Sequence, residues 1–373
     1  MRIVFWQNCL SPHQLPYIAR LPEDGRVDSV VVAAGEDISG DRRRMGWDIT
    51  SFEGLDRCEV LLNPDDDTTD RLLSTRQEDS VHLFSGIRAF PFVFNALRRS
   101  LKYDLKRGII TERPNTFAHN NANGKPLWMH RIRFFLQDRT YARHIRYVFA
   151  MGDEAVDYFR SVWGGWTVFP FAYCTQATRA GETEHDDTDT ARFLFVGSMS
   201  FRKAPTLLLQ AAYSSGECGD GYTLDFAGDG SERAAMEEYI REHDMKGVTL
   251  LGTKNNSEIP AIMRRHDVLV LPSVYDGWGA VVNEALTEGL YVVCSDRCGA
   301  CELLRDDWRG MVFKGGDYTQ LSERMKRCAE NIRQIRKDRK RRKEWAARHI
   351  SGNAISKYMV DCLEGKKEQR PWM

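Results

Sequence analysis

The sequence lacks a long apolar run, a net charge and a regular cysteine pattern, and each absence removes a class of function. Across 373 residues nothing approaches the ~18 uncharged apolar residues that a membrane-crossing helix requires. Lys and Arg total 53 and so do Asp and Glu, so no overall field draws the chain to nucleic acid. The opening MRIVFWQNCL has one Arg and a short apolar run that soon meets Asn and Pro, whereas a secretory leader needs a longer run and a small-residue cleavage site. A cytoplasmic location is therefore expected. The nine Cys are scattered and odd in number, which does not suit a secreted disulfide framework. Only Cys294, Cys298 and Cys301 cluster, in VVCSDRCGACELL. No His accompanies them and Cys294 continues an apolar strand, so they read as buried reduced thiols and not as zinc ligands. Low-complexity blocks and short-period repeats are also missing.

The chain does contain two alternating halves. The first runs RIVFW, SVVVAA, CEVLLN, VHLFS, RGIIT and RYVFA, with helical stretches such as PFVFNALRRSLKYDL and GDEAVDYFRSV between. The second runs ARFLFVG, YTLDFAG, VTLLG, DVLVLPS, LYVVCS and GMVFK. Short β-rich runs alternating with helices specify parallel sheets covered on both faces. Between the halves, residues 174–190 (CTQATRAGETEHDDTDT) carry almost no apolar content and read as an exposed linker. The expected class is α/β, with two doubly wound, Rossmann-like domains facing a central cleft where ligands bind at strand carboxyl ends.

One stretch carries the chemistry. In HDVLVLPSVYDGWGAVVNEAL an apolar strand ends at Pro272, Gly277 and Gly279 allow a tight turn, and a helix begins near Ala280. Amides at such a helix start form an anion site. Asp276 lies just before the helix and Glu284 one turn inside it. With VGSMSFRKAPTLLLQA and LDFAGDGSER upstream, the second half resembles the C-terminal domain of family 4 retaining glycosyltransferases, which have the GT-B fold. The order and spacing match from Phe193 to Phe313, while the first half matches only in its strand–helix rhythm.

The resemblance implies a donor-binding domain over 191–352, an acceptor-side domain over 1–173, and a last helix within 353–373 that packs back on the first domain. It gives Glu284 the ribose hydroxyls, a suitable task for a carboxylate that accepts two hydrogen bonds. Asp276 falls where the family has the acid that contacts the transferred sugar, and it is one methylene shorter than the usual Glu. Lys203 occupies the position of the diphosphate-binding Lys, beside Gly197. The companion Arg position is Ser198. Arg202 either supplies the missing guanidinium or is a solvated loop residue, and both remain open. With Lys203 and the amides near Gly279 and Ala280 on the diphosphate, neither a metal nor a cofactor is implied.

Other features compete for attention. Gly228-Asp229-Gly230 lacks the third glycine of a dinucleotide fingerprint and reads as a tight turn. Asp65, Asp66 and Asp67 resemble a metal-binding acidic run, but they read as a loop that caps the helix TTDRLLS. In the first half, LSPHQLPYIARL stands where the family places a Gly-Gly loop, and His13 lies at that strand's end. GIITERPNTFAHNN offers Glu112, with His119 further on, as acceptor-side candidates. KPLWMHRIRFFLQDRTYARHIR interleaves cations and aromatics, which suits either an interface with anionic lipid or a core helix with a basic outer face. In RMKRCAENIRQIRKDRKRRKEW the apolar stripe Met325, Cys328, Ile332 and Ile335 should pack inward, leaving the basic face to a membrane surface or, the preferred reading, to solvent.

The implied activity is transfer of a hexose-type sugar, with retention and without metal, from a nucleotide-diphosphate donor to a saccharide or lipid-linked acceptor. Surface polysaccharide synthesis at the inner face of the cytoplasmic membrane is the setting that fits. A sugar-nucleotide 2-epimerase of the same fold, or a relative that binds nucleotide sugar without turnover, are the rivals.

Overall fold

The structure is a computed structural model, and it describes residues 1–38, 40, 53–114, 126–176, 188–366 and 369–373. The chain forms two compact units. The first comprises Met1–Thr116, Lys125–Gln176 and His349–Trp372, and the second is built on Ala177–Arg348.

The first unit is a seven-stranded sheet made of β1 (Arg2–Cys9), β2 (Ser29–Glu36), β3 (Glu59–Leu62), β4 (Ser80–Phe84), β5 (Lys106–Glu112), β6 (Tyr147–Met151) and β7 (Thr167–Phe171). Their order is β3-β2-β1-β4-β5-β6-β7, and every pairing is parallel. Central strands are apolar on both faces because helices cover both. All five residues of β6 are buried, whereas the edge strand β3 has none buried. Trp6 stacks on Phe84 across the β1–β4 pair, with ring centroids 6.1 Å apart, at the centre of a core that includes Val31, Leu97 and Val148. The helix Gly352–Leu363 also belongs to this unit and packs on the short helix Leu15–Ile18. Gly352 lies so close to the chain there that a Cβ would stand 2.2 Å from the Pro16 carbonyl oxygen.

The second unit is a six-stranded parallel sheet of β8 (Ala191–Val196), β9 (Tyr222–Ala227), β10 (Val248–Gly252), β11 (Val268–Leu271), β12 (Tyr291–Ser295) and β13 (Gly310–Phe313). Its order is β10-β9-β8-β11-β12-β13. Two doubly wound sheets were expected, and both are present. Met325, Cys328, Ile332 and Ile335 all lie in the core of this unit, as their helical spacing predicts.

Three expectations need correction. The stretch TVFPF, not read as a strand, forms β7, with Pro170 accommodated because β7 is an edge. Cys174, at the head of the supposed exposed linker, is buried, and its amide donates to the His13 carbonyl at 3.2 Å. The basic run near the end of the second unit is only partly left to solvent, because Arg333, Lys337, Lys340 and Arg341 are exposed but three other arginines are engaged. Arg336 grips the buried Asp267 carboxylate at 2.9 and 3.0 Å, and Arg339 donates to the His266 carbonyl at 2.8 Å. Arg342, 1% exposed, donates to the Gly289 and Trp308 carbonyls. These arginines satisfy carbonyls that would otherwise be buried without donors.

Candidate active site

In the second unit β8, β9 and β10 run outward on one side, and the chain then returns to lay β11 on the other side of β8. Loops leaving the carboxyl ends of β8 and β11 diverge at this reversal, which is where open α/β sheets take ligands. The second-unit site residues singled out from sequence lie on these two loops and on the helix that follows the second.

The first loop follows Val196. It is fixed by the turn after β9, because Gly197 and Met199 donate to the carbonyls of Ala227 and Asp229 at 3.0 and 2.8 Å. Such close backbone approach requires glycine. A Cβ on Gly228 would fall 1.9 Å from the Gly197 carbonyl oxygen, and one on Gly230 would fall 2.4 Å from that of Met199. The Gly-Asp-Gly turn is therefore a seat for the loop that carries Lys203. Ser198, at the family's Arg position, is exposed, and its hydroxyl lies 3.2 Å from that of Ser200. Ala204 closes the loop at φ 50° and ψ 49°, a left-handed conformation at the head of the helix Pro205–Ser215. The following proline disfavours the right-handed alternative, and the Cβ makes the left-handed one cost about 1 kcal/mol or more.

The second loop follows Leu271. Gly279 has φ 90°, and its Cα lies on Cys298, where an added Cβ would stand 2.4 Å from Sγ. That thiol donates to the Trp278 carbonyl at 2.7 Å. Trp278, 1% exposed, donates from Nε1 to Asn283 Oδ1 at 2.7 Å and so locks the turn to the helix Val281–Thr287. Gly277 packs under Gly299, and the Ala280 carbonyl accepts the Glu284 amide at 3.1 Å. With only seven residues, this helix carries much less than a full macrodipole.

The loops are joined by charge. The Val274 amide donates to the Arg202 carbonyl at 3.0 Å, and Arg202 returns a guanidinium bond to the Tyr275 carbonyl at 3.3 Å. Lys203 Nζ donates to Asp276 Oδ2, and Arg202 Nη1 stands 3.6 Å from Oδ1. Arg202 is therefore an ion-pair partner of Asp276. Burial pushes the Asp276 carboxyl up, but Lys203, Arg202 and the Trp278 amide together outweigh it and hold it below the usual carboxylate range. Glu284 differs. Burial raises its carboxyl to about 7 against the pull of Lys203, and among the described residues no cation pairs with it. One acid of the site is held ionised and the other is poised near neutrality.

His13 and Glu112 belong to the first unit. His13 follows β1, its ring centroid 6.0 Å from that of Tyr173, and Glu112 ends β5, with β4 between the two strands. His119 lies outside the described residues. Asp65 caps the helix Asp66–Ser74 by accepting from the Thr68 amide at 2.8 Å, the capping role read from sequence. Among the described residues no group of three His, Cys, Asp or Glu could hold a metal ion. Sequence inspection missed the Cys298–Trp278–Asn283 support and the strained Ala204. The only hint of the latter was an Ala before a Pro in a loop that must reverse.

Residues 180–349 match the family model described as Glycosyl transferases group 1. A 2-deoxystreptamine glucosyltransferase of Streptomyces kanamyceticus is 28% identical over 170 residues, 44% of either chain. A glycogen synthase of Mycobacterium tuberculosis is 27% identical over 136 residues, 36% of this chain and 33% of the other. The matches thus span less than half the length of these curated relatives. Among solved structures, Anabaena Alr3699/HepE in complex with UDP superposes with a TM-score of 0.67 at 16% identity, covering 98% of this chain and 100% of that one. The lipopolysaccharide outer core galactosyltransferase WaaB superposes with a TM-score of 0.69 at 12% identity, covering 98% and 99%. The fold is GT-B.

Proposed function

We propose that the protein is a retaining, metal-independent glycosyltransferase that moves a hexose-type sugar from a nucleoside-diphosphate donor to a saccharide or lipid-linked acceptor in surface polysaccharide synthesis. The observation that carries this reading is the convergence of Lys203, Asp276 and Glu284 at the β8/β11 reversal of a glycosyl transferases group 1 domain. Lys203, reinforced by Arg202, turns from Asp276 to the diphosphate and stabilises the charge that develops as the anomeric carbon–oxygen bond breaks. Glu284 accepts from the ribose hydroxyls. Asp276, once the phosphates draw Lys203 away, accepts from a sugar hydroxyl. Same-face attack by the acceptor hydroxyl, with its proton passing to the leaving phosphate, gives retention without a protein nucleophile.

UDP is the first nucleotide to test, with GDP and ADP beside it and each with its sugars, in a thermal-shift panel. Ligand at about 100 times its dissociation constant adds roughly 2.7 kcal/mol. Calorimetry and initial rates then separate the two acids. Glu284→Ala should weaken binding of the bare diphosphate at least about tenfold, since charged hydrogen bonds contribute roughly 1.5–3 kcal/mol each. Asp276→Ala should leave that binding within a few-fold while turnover collapses, and EDTA should leave turnover unchanged. Equal diphosphate affinity in Glu284→Ala and the parent would overturn the role given to Glu284. An epimer formed from donor alone, or binding without turnover, would favour the rival activities.

A further inference from the structure

We propose that the helical stretch after Pro126 in the first unit is a docking surface for an anionic membrane. It runs as the helix Leu127–Arg133, a π turn Phe134–Asp138 and the helix Arg139–Ala142. Phe134 and Ala142 point into the core, Phe134 edge-on to Trp166 with centroids 5.4 Å apart. The other side does not. Trp128, Ile132, Phe135 and Leu136 are 60, 49, 62 and 73% exposed, and Met129 is 37% exposed. Their spacing places them on one face of the stretch. Of eleven large apolar side chains exposed among the described residues, five fall within these nine positions. Single exposed apolar residues are ordinary, but a contiguous stripe of them marks an interaction site.

Charge selects the occupant. Arg131, Arg133, Arg139 and Arg143 are all exposed around the stripe, and Asp138 is the one acid from 126 to 146. The Arg139 guanidinium lies over the rings of Phe135 and Trp163, at 4.9 and 5.6 Å, so its stem follows apolar surface while its head stays outward. An apolar stripe with an indole, ringed by cations on a surface helix, matches the boundary between anionic headgroups and acyl chains. A second copy is a poor fit, because a symmetric pair would bring these cations against their equivalents.

Membrane docking does not depend on sugar transfer, so the two proposals fail separately. Flotation of the full chain with vesicles of phosphatidylcholine alone, or of equimolar phosphatidylcholine and phosphatidylglycerol, tests this one. The protein should float with the anionic vesicles and not with the neutral ones. It should be released as salt approaches about 1 M, where the screening length is about 3 Å. Trp128→Ser/Ile132→Ser/Leu136→Ser should reduce the floated fraction at least about tenfold, and Arg133→Gln/Arg143→Gln should remove the preference for anionic lipid. Both variants replace exposed side chains, so unchanged melting confirms that they fold. Absence of flotation with anionic vesicles, or flotation of the triple variant equal to the parent, overturns the proposal. Self-association that the triple variant abolishes, without vesicle binding, would assign the surface to a second copy instead.

Discussion

Glu284 and Ala204 each hold a conformation or charge state that costs stability. The Glu284 carboxyl, ordinarily near 4.5, titrates at about 7 because its ionised form is buried. A folded-state value raised in this way stabilises the protein fully below about pH 4.5, and that contribution is lost as pH rises through about 7. Thermal melting of the ligand-free protein should therefore show a decline over this window that Glu284→Gln flattens. Diphosphate binding should run the other way, strengthening as pH rises through about 7, because only the carboxylate accepts both ribose bonds. Ala204 is simpler. Ala204→Gly relieves the left-handed strain next to Lys203 and should stabilise the second unit by about 1 kcal/mol, a rise of a few degrees in its melting temperature. A fall in melting temperature would mean that Ala204 is not strained.

At the scale of elements, the loop that carries Lys203 is positioned by the turn after β9. Gly228→Ala would drive a Cβ into the Gly197 carbonyl and displace that loop. The expected result is a loss of more than about 2 kcal/mol in stability, with diphosphate affinity reduced even in protein that remains folded. Undiminished affinity would separate the turn from the site. All strands except β7 were legible in the sequence, because buried parallel strands are short apolar runs bounded by turns. Pro170 hid β7, since a proline argues against a strand until the strand is known to be an edge. Asp276 and Glu284 stood out at a strand–turn–helix junction, but their separate roles, and Lys203 altogether, came only through the family pattern. The Lys203–Asp276 pair could not be read, because its partners come from different loops and meet only when β11 returns beside β8. Arg336, Arg339 and Arg342 misled for a related reason. A basic run looks solvated until the carbonyls and carboxylate it covers are in place.

For the whole molecule, the first unit is discontinuous, and its last segment is held by specific bonds. Arg26 pairs with Asp361 at 2.5 Å, Arg370 pairs with Asp153 at 2.5 Å, and Tyr358 donates to the Pro170 carbonyl at 3.0 Å. Trp372 is fully buried. Removal of residues 349–373 uncovers Leu15–Ile18 and severs all three bonds. Melting of the first unit should fall sharply or disappear, while diphosphate binding by the second unit persists. Loss of both together would mean that the units do not unfold independently.

The same connectivity sets a timetable for synthesis. The body of the second unit, Ala177–Arg348, emerges from the ribosome as one continuous stretch, but the helix Gly352–Leu363 that completes the first unit is made after it. At roughly 5–20 residues per second, translation of the intervening chain takes on the order of tens of seconds. Throughout that interval the earlier-made sheet stands with the apolar patch around Leu15 and Ile18 uncovered, a surface for chaperones to hold. The first unit, begun first, is finished last.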